Sequence, residues 1–135
     1  MIAAAALHAA IHDTLAADIA LTGLVGPDAV FDRAPPRAAF PYITFGPTAA
    51  YDWSTGTDRG DGHLLTLHIW SEAHGRKQAL AIAERVTALL DDAHLVLAGH
   101  RLVLLRFADL DAGYDAALRG FRATMRFEAL TEAAP

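Results

Sequence analysis

The residues best suited to chemistry lie between residues 51 and 74, where histidines and aspartates are close together. His63, His68 and His74 offer imidazole nitrogens, and Asp58 and Asp61 offer carboxylate oxygens, all of them ordinary metal ligands. However, His63 and His68 are five residues apart, so on one strand they point to opposite faces and cannot share an ion. A loop site of Asp58, Asp61 and His63 stays open, although its spacing matches no calcium loop or zinc motif. We therefore predict no metal and no cofactor.

A nucleophile for covalent catalysis would most simply be a serine, because the chain contains no cysteine. Ser54 and Ser71 lie near the histidines in sequence, but neither stands in the Gly-x-Ser-x-Gly setting of a nucleophile elbow. His8 and His12 are one helical turn apart, without the glutamate that accompanies such a pair in zinc proteases. These patterns predict a protein that is not an enzyme. A small hydrolase, with its pocket at the loop site described above, is the alternative.

The tripeptide Arg59-Gly60-Asp61 has the sequence of an adhesion motif. Three-residue matches are frequent by chance, and no secretion signal is recognisable. Residues 2–11 are apolar, but they include His8 and lack a basic start. The glycines around the tripeptide are typical of a turn, so we interpret residues 54–62 as a loop.

The composition predicts one folded domain that spans residues 1–135. Hydrophobic residues make up 53% of the chain and charged residues 20%, which excludes a disordered protein. The net charge of −5 argues against a protein that holds nucleic acid by its phosphates. The apolar run at residues 79–90 is too short to span a bilayer, and the lack of cysteine suits a reducing compartment. We expect an intracellular protein with no membrane segment.

Hydrophobic spacing predicts the elements that position these residues. Leu7, Ile11, Leu15 and Ile19 repeat every four residues and predict a first helix, and residues 79–90 carry a second apolar stripe. Short apolar runs predict strands at residues 30–31, 41–46, 63–70, 95–97, 101–109 and 118–130, with turns at residues 98–99 and 111–115. The fold class we predict is α+β, with a mainly antiparallel β-sheet and two α-helices packed on one face.

The sheet face turned away from the helices is predicted to carry apolar side chains. Alternation along the strands places Leu64, Trp70, Leu102 and Leu104 on that face. Such a patch is more often covered than left in water. Either loops of the same chain or another subunit would cover it.

Several stretches, taken in order and spacing, resemble one protein family. They are "FPYITFG" at residues 40–46, "DWSTGTDRG" at 52–60, "HLLTLHIWS" at 63–71, "GRKQALAIAERV" at 75–86 and "FRATMRFEAL" at 121–130. From about residue 7 to 132 the chain resembles the tail-completion (tail terminator) proteins of siphophage-type tails and gene transfer agents. None of these stretches is a catalytic signature, and residues 111–119 match least well.

The resemblance implies a structural protein. Members of the family form a ring, usually of six subunits, that caps the head-proximal end of a tail tube, ends tube polymerisation and joins the tail to the head. The implied partners are further copies of the chain, the tail tube protein and the head-completion (stopper) protein, with DNA passing through the lumen without sequence-specific binding. The implied locations are the bacterial cytoplasm during assembly and then the phage-like particle. Another neck or adaptor protein of such a particle is the alternative.

Nine residues are expected to form the subunit or partner interface, because they lie in the most specific stretches or on the outward sheet face. They are Asp52, Trp53, Asp58, Arg59, Leu64, His68, Trp70, Leu102 and Leu104.

Overall fold

In a computed structural model, which describes residues 2–72 and 74–134, the chain folds into three helices and one six-stranded sheet. The helices are α1 (Ala3–Ala17), α2 (Ile19–Val25) and α3 (Arg76–Leu90). The strands are β1 (Val30–Phe31), β2 (Tyr42–Asp52), β3 (Gly60–Glu72), β4 (Val96–Leu97), β5 (His100–Asp115) and β6 (Gly120–Ala133). The predicted α+β class is confirmed. None of the described helices is long and apolar enough to cross a membrane.

The strands are arranged in the order β1-β2-β3-β6-β5-β4. The short β1 runs parallel to β2, and the other four neighbouring pairs are antiparallel. The sheet is therefore mixed, and the parallel pair at its edge was missed by the sequence prediction. The two strands are parallel because residues 32–41 carry the chain back along β1 before β2 begins, so both strands run in the same direction.

The single first helix of the prediction is in fact two helices. Asp18 has an extended backbone (φ −79°, ψ 119°) that ends α1, and its Oδ2 accepts a hydrogen bond from the backbone N–H of Leu21 at 2.8 Å. This is an N-cap, so a new helix begins at Ile19. Ile19, expected on the apolar stripe, is 87% exposed. Gly26, with φ +91°, ends α2.

The helices cover one face of the sheet and form the core with it. Most of the large, fully buried side chains come from the predicted stripes of α1 and α3 and from alternate positions of β3 and β6, and α2, β2 and β5 add Leu21, Ile43 and Leu105. Burying one large apolar side chain typically stabilises a fold by about 1.5–3 kcal/mol. The interior between helices and sheet is therefore a main source of the stability of the fold.

Two features of the sheet differ from the sequence prediction. Strand β5 runs on to Asp115, through the stretch 111–115 where a turn was expected, and the turn lies at residues 116–119 instead. The loop expected at residues 54–62 is shorter, because β3 already begins at Gly60. Both strands are longer than their apolar runs since cross-strand pairing continues beyond them.

Candidate functional site

The candidate functional site is the sheet face turned away from the helices, here called the outer face. Cross-strand register assigns side chains to it, because directly opposed residues share a face. Leu64, His68 and Trp70 lie on the outer face, as predicted, since they alternate with the buried Leu65, Leu67 and Ile69. The remaining part of the face comes from β2, β5 and β6.

Leu102 does not lie on the outer face, which corrects the prediction. It is opposite the fully buried Thr131 and packs against the core. The register shifts between Leu102 and Leu104, because β5 has one extra residue there. This bulge reverses the alternation, so Leu104 is opposite Leu130 on the outer face.

One end of the outer face holds a packed aromatic and polar cluster. The indole N–H of Trp70 donates to the Thr44 hydroxyl at 3.0 Å, and the guanidinium of Arg122 lies 5.4 Å from the centre of the Trp70 ring. His68 Nδ1 is 3.1 Å from the Thr124 hydroxyl. Burial, and after it the nearby arginines, lowers the pKa of His68. Hydrogen bonds and a cation–π contact within the chain therefore hold the cluster together.

Loops of the same chain partly cover this cluster. The ring of Tyr42 stacks on Phe40 at 5.5 Å and lies 6.3 Å from Trp70. Residues 32–38 complete a cleft of about 530 Å³ whose floor includes Tyr42, Trp70 and Leu118. We expected either loops of the same chain or another subunit to cover the outer face. At Trp70 the cover comes from loops of the same chain.

The other end of the outer face holds an exposed apolar patch. It consists of Tyr51, Leu64, Leu104 and Leu130, which we call the outer apolar patch; Tyr51 and Leu64 are each 48% exposed. The ring of Tyr51 lies directly over Gly62, where an added Cβ would be 2.1 Å from a ring carbon. Gly62 thus lets an aromatic ring lie flat on the sheet. Sequence alternation identified Leu64 and Leu104 but missed Tyr51 and Leu130.

A ladder of ion pairs joins β5 and β6 across the outer face. Arg106 bonds Glu128 at 2.7 Å, Arg126 bonds Asp109 at 2.7 Å, and Arg122 lies 3.4 Å from Asp115. The hydrogen bond that Arg126 donates to the Asp109 carboxylate raises the pKa of Arg126. Water screens exposed pairs of this kind, so each contributes little to stability. In the sequence, the feature that pointed to this ladder was the pair Arg122 and Arg126 on one face of β6.

The loop between β2 and β3 is a turn held by its own hydrogen bonds, and an open cleft of about 380 Å³ beside it is lined by Tyr51, Asp52, Ser54, Arg59 and Asp61. The Ser54 hydroxyl donates to Asp52 at 2.6 Å and accepts from the Gly60 N–H at 3.1 Å. The hydrogen bonds that the hydroxyl and the backbone N–H of Ser54 donate to Asp52 lower the pKa of the Asp52 carboxyl, and Ser54 holds the turn together. Trp53 is 40% exposed and its ring packs against Gly60. Asp58 and Arg59 are exposed at the tip of the loop.

The histidines do not converge. His63 is buried on the helix side of β3, with Nε2 2.9 Å from the Thr131 hydroxyl, whereas His68 is on the outer face; the parity argument is confirmed. His8 stacks on Phe45 at 3.8 Å, and His12 Nε2 lies 3.2 Å from the Val30 carbonyl oxygen. Within residues 2–72 and 74–134, no three histidine, aspartate or glutamate side chains are grouped to hold a metal ion.

Comparison with known proteins agrees with the resemblance seen in the sequence. None of the curated proteins compared with the chain matches it. A chain of a solved structure, described as the virion of a native gene transfer agent (GTA) particle, is 35% identical with a TM-score of 0.88. The match covers 96% of this chain and 97% of that one. A family model described as tail completion protein gp17 matches residues 9–132. The chain belongs to this family of tail-completion proteins.

Proposed function

We propose that the chain is a structural protein of a phage-like particle that forms a ring on the head-proximal end of the tail tube. The ring ends tube polymerisation and joins the tail to the head-completion protein. Its subunits assemble in the bacterial cytoplasm and remain in the finished particle. DNA passes through the lumen without sequence-specific binding, which a net charge of −5 favours, because acidic protein does not hold phosphate.

The observation that carries the proposal is the contrast between the two faces of the sheet. Helices bury one face, while the outer face keeps an exposed apolar patch beside a charged ladder. An exposed apolar patch with a polar surround marks a protein–protein contact. A tail-completion protein must contact its own copies and two unlike neighbours, which requires such distinct surfaces.

The expected interface residues remain a proposal, with their roles adjusted to their places in the fold. Leu64 and Leu104, in the outer apolar patch, and Trp53, Asp58 and Arg59, at the loop, are accessible for contact. Asp52 acts by holding that loop through Ser54. His68 and Trp70 lie at the other end of the outer face, where loops of the same chain partly cover them, and Leu102 is replaced by Tyr51 and Leu130.

The test is the position of the chain in the particle. Purified particles carrying a peptide tag on the chain are labelled with gold-conjugated antibody and imaged by electron microscopy. Label confined to the junction of head and tail agrees with the proposal. Label along the whole tube, at the distal tip or on the head alone contradicts it.

A further inference from the structure

Two stretches of the sheet edge have no neighbouring strand, at opposite edges of the sheet. Strand β1 pairs with β2 only at Ile43 and Thr44, and β4 pairs with β5 only at His100 and Arg101. Among the described residues, no strand pairs with residues 48–52 of β2 or residues 109–115 of β5 on their outer sides. All of residues 48–52 and most of residues 109–115 are exposed.

The hydrogen-bonding groups of both stretches point outwards at alternate residues. On β5 the N–H of Phe107 donates to the Asp91 side chain, away from β6. The register shift after Phe107 moves the outward positions to Leu110, Ala112 and Tyr114. On β2, Trp53 N–H donates to the Gly60 carbonyl towards β3. The outward positions are therefore Thr48, Ala50 and Asp52.

The two stretches are complementary in direction. Strands β2, β3, β6 and β5 alternate in direction, so β2 runs opposite to β5. A second copy placed beside β5 with its own β2, in the same orientation, would continue the sheet with an antiparallel pair. Such a contact is head-to-tail, and it closes into a ring when its rotation closes.

The two stretches also lie at opposite ends of the sheet, which fixes the stagger between copies. Ala112 is directly opposite Ala123 of β6. Ala50 is opposite His63 of β3, and His63 is in turn opposite Ala129 of β6. Matching Ala50 of one copy to Ala112 of the next shifts the copies by six residues, about 20 Å at about 3.4 Å per residue. Four strands span about 19 Å at about 4.8 Å each. The strands would then tilt by about 45°, close to the tilt that closed barrels adopt.

Neither stretch contains a lysine or a proline, two of the residues that keep an edge strand solitary. Monomeric proteins protect edges with lysine, proline or a bulge, whereas Pro47 and the β5 bulges precede these stretches. The aspartates of residues 109–115 are held on the outer face by Arg122 and Arg126. On the helix side, Leu110 and Tyr114 are 38% and 56% exposed, and the small Thr48 and Ala50 leave room for them.

We propose that residues 48–52 of one copy pair with residues 109–115 of the next as antiparallel strands, so that the ring is closed by a continuous sheet. This rests on the proposed ring and names the contact that builds it. The occupant of each open edge is the other edge of a second copy.

Disulfide cross-linking tests the pairing directly, because the chain contains no cysteine. Ala50→Cys and Ala112→Cys are combined in one chain and oxidised, in purified protein and in particles. Opposed residues in such a pair have Cα atoms about 5.5 Å apart, within reach of a disulfide. The double variant should give a ladder of covalent oligomers that ends at the ring size, and each single variant should give almost none. An Ala81→Cys/Ala112→Cys variant, with its first cysteine on the exposed side of α3, is the matched control.

The outcomes separate this contact from the ring itself. A ring seen by mass photometry without a covalent ladder overturns the strand pairing and leaves the proposed function standing. Dimers from Ala112→Cys alone would mean that two β5 edges pair symmetrically, which also overturns it. A chain that is monomeric and gives no ladder even in particles overturns both proposals.

A proline variant gives a second measurement. Ala112→Pro removes an N–H that points away from β6, so no hydrogen bond between β5 and β6 is lost and the subunit should fold. The protein concentration needed for ring formation should rise at least tenfold. Ala112→Val keeps the N–H and should assemble normally. Equal assembly of the two variants would overturn the pairing.

Discussion

Burial lowers the pKa of two histidines on opposite faces of β3, His63 and His68. In the unfolded chain both titrate near 6.5, so between that pH and their lower folded pKa values the unfolded chain binds more protons. The stabilisation that these two histidines contribute is fully present above pH 6.5, and it is lost as the pH falls through their folded pKa values. Asp18 and Asp52 have lowered carboxyl pKa values. They change the pH dependence of stability only below about pH 4.

We therefore expect the melting temperature to fall between pH 7 and pH 5. Replacing both histidines by glutamine should flatten that slope, whatever the variant's stability at pH 7. The exposed His94 provides the control, His94→Gln, which should keep the wild-type slope. An unchanged slope in the double variant would show that burial of these two rings does not govern the acid response.

Two glycines of the β5–β6 hairpin differ in the space around them. A Cβ at Gly120 would lie 2.8 Å from the carbonyl oxygen of Ser71, which is backbone and cannot yield, whereas nothing lies within 4 Å of a Cβ at Gly113. Gly120→Ala should destabilise the subunit by about 1–3 kcal/mol. Gly113→Ala should be neutral or stabilising by up to about 1 kcal/mol. Urea unfolding of both variants checks the difference, and equal midpoints would contradict it.

At the scale of elements, local signals were sufficient only where a single apolar stripe defines the element. The stripe of α3 and the alternation of β6 both correspond to elements of the fold. The end of β5 was missed because Asp111 and Asp115 were interpreted as turn residues. They become strand residues through arginines of β6, a partnership that is distant in sequence. The break between α1 and α2 did have a local signal, the capping residue Asp18.

Asp18 holds two helices together. Besides capping α2, its carboxylate accepts hydrogen bonds from Arg85 of α3 at 2.9 and 2.8 Å, which lower the pKa of Asp18. Asp18→Asn keeps a capping oxygen but loses the charge, whereas Asp18→Ala loses both. We expect the urea midpoint to fall in both variants and to fall further for alanine. If the two variants unfold together, the cap contributes nothing measurable.

At the scale of the whole molecule, the candidate site was predictable in part. Alternation placed Leu64 and Trp70 on the outer face correctly, because β3 is regular between them. It failed for Leu102, because one bulge residue reverses the parity of a strand. It could not show that Trp70 is covered by residues 32–40 or that Tyr51 lies over Gly62, since both depend on contacts between distant segments.

Removing apolar surface from the outer apolar patch should weaken assembly without weakening the fold. Leu64→Gln is the probe, because Leu64 is 48% exposed and its partners across the sheet are Ala49 and Glu128. Val96→Gln is the control, since Val96 is 93% exposed on β4, outside the patch. Mass photometry should show fewer rings for Leu64→Gln, and circular dichroism should show equal melting. If Leu64→Gln forms rings normally, the outer apolar patch is not part of the interface. If its melting temperature falls sharply, Leu64 belongs to the core.

The most direct test of the account is deletion of the gene from a strain that produces the particle. Each open end of a tail tube can accept another ring of tube protein, so a tube without a terminating ring should grow too long or fail to join a head. Electron microscopy of the deletion strain should show DNA-filled heads beside unattached tails, some of them overlong. Supplying the protein should restore joined particles of normal length. Normal particles without the gene, or a defect confined to adsorption to the host cell, would contradict the account.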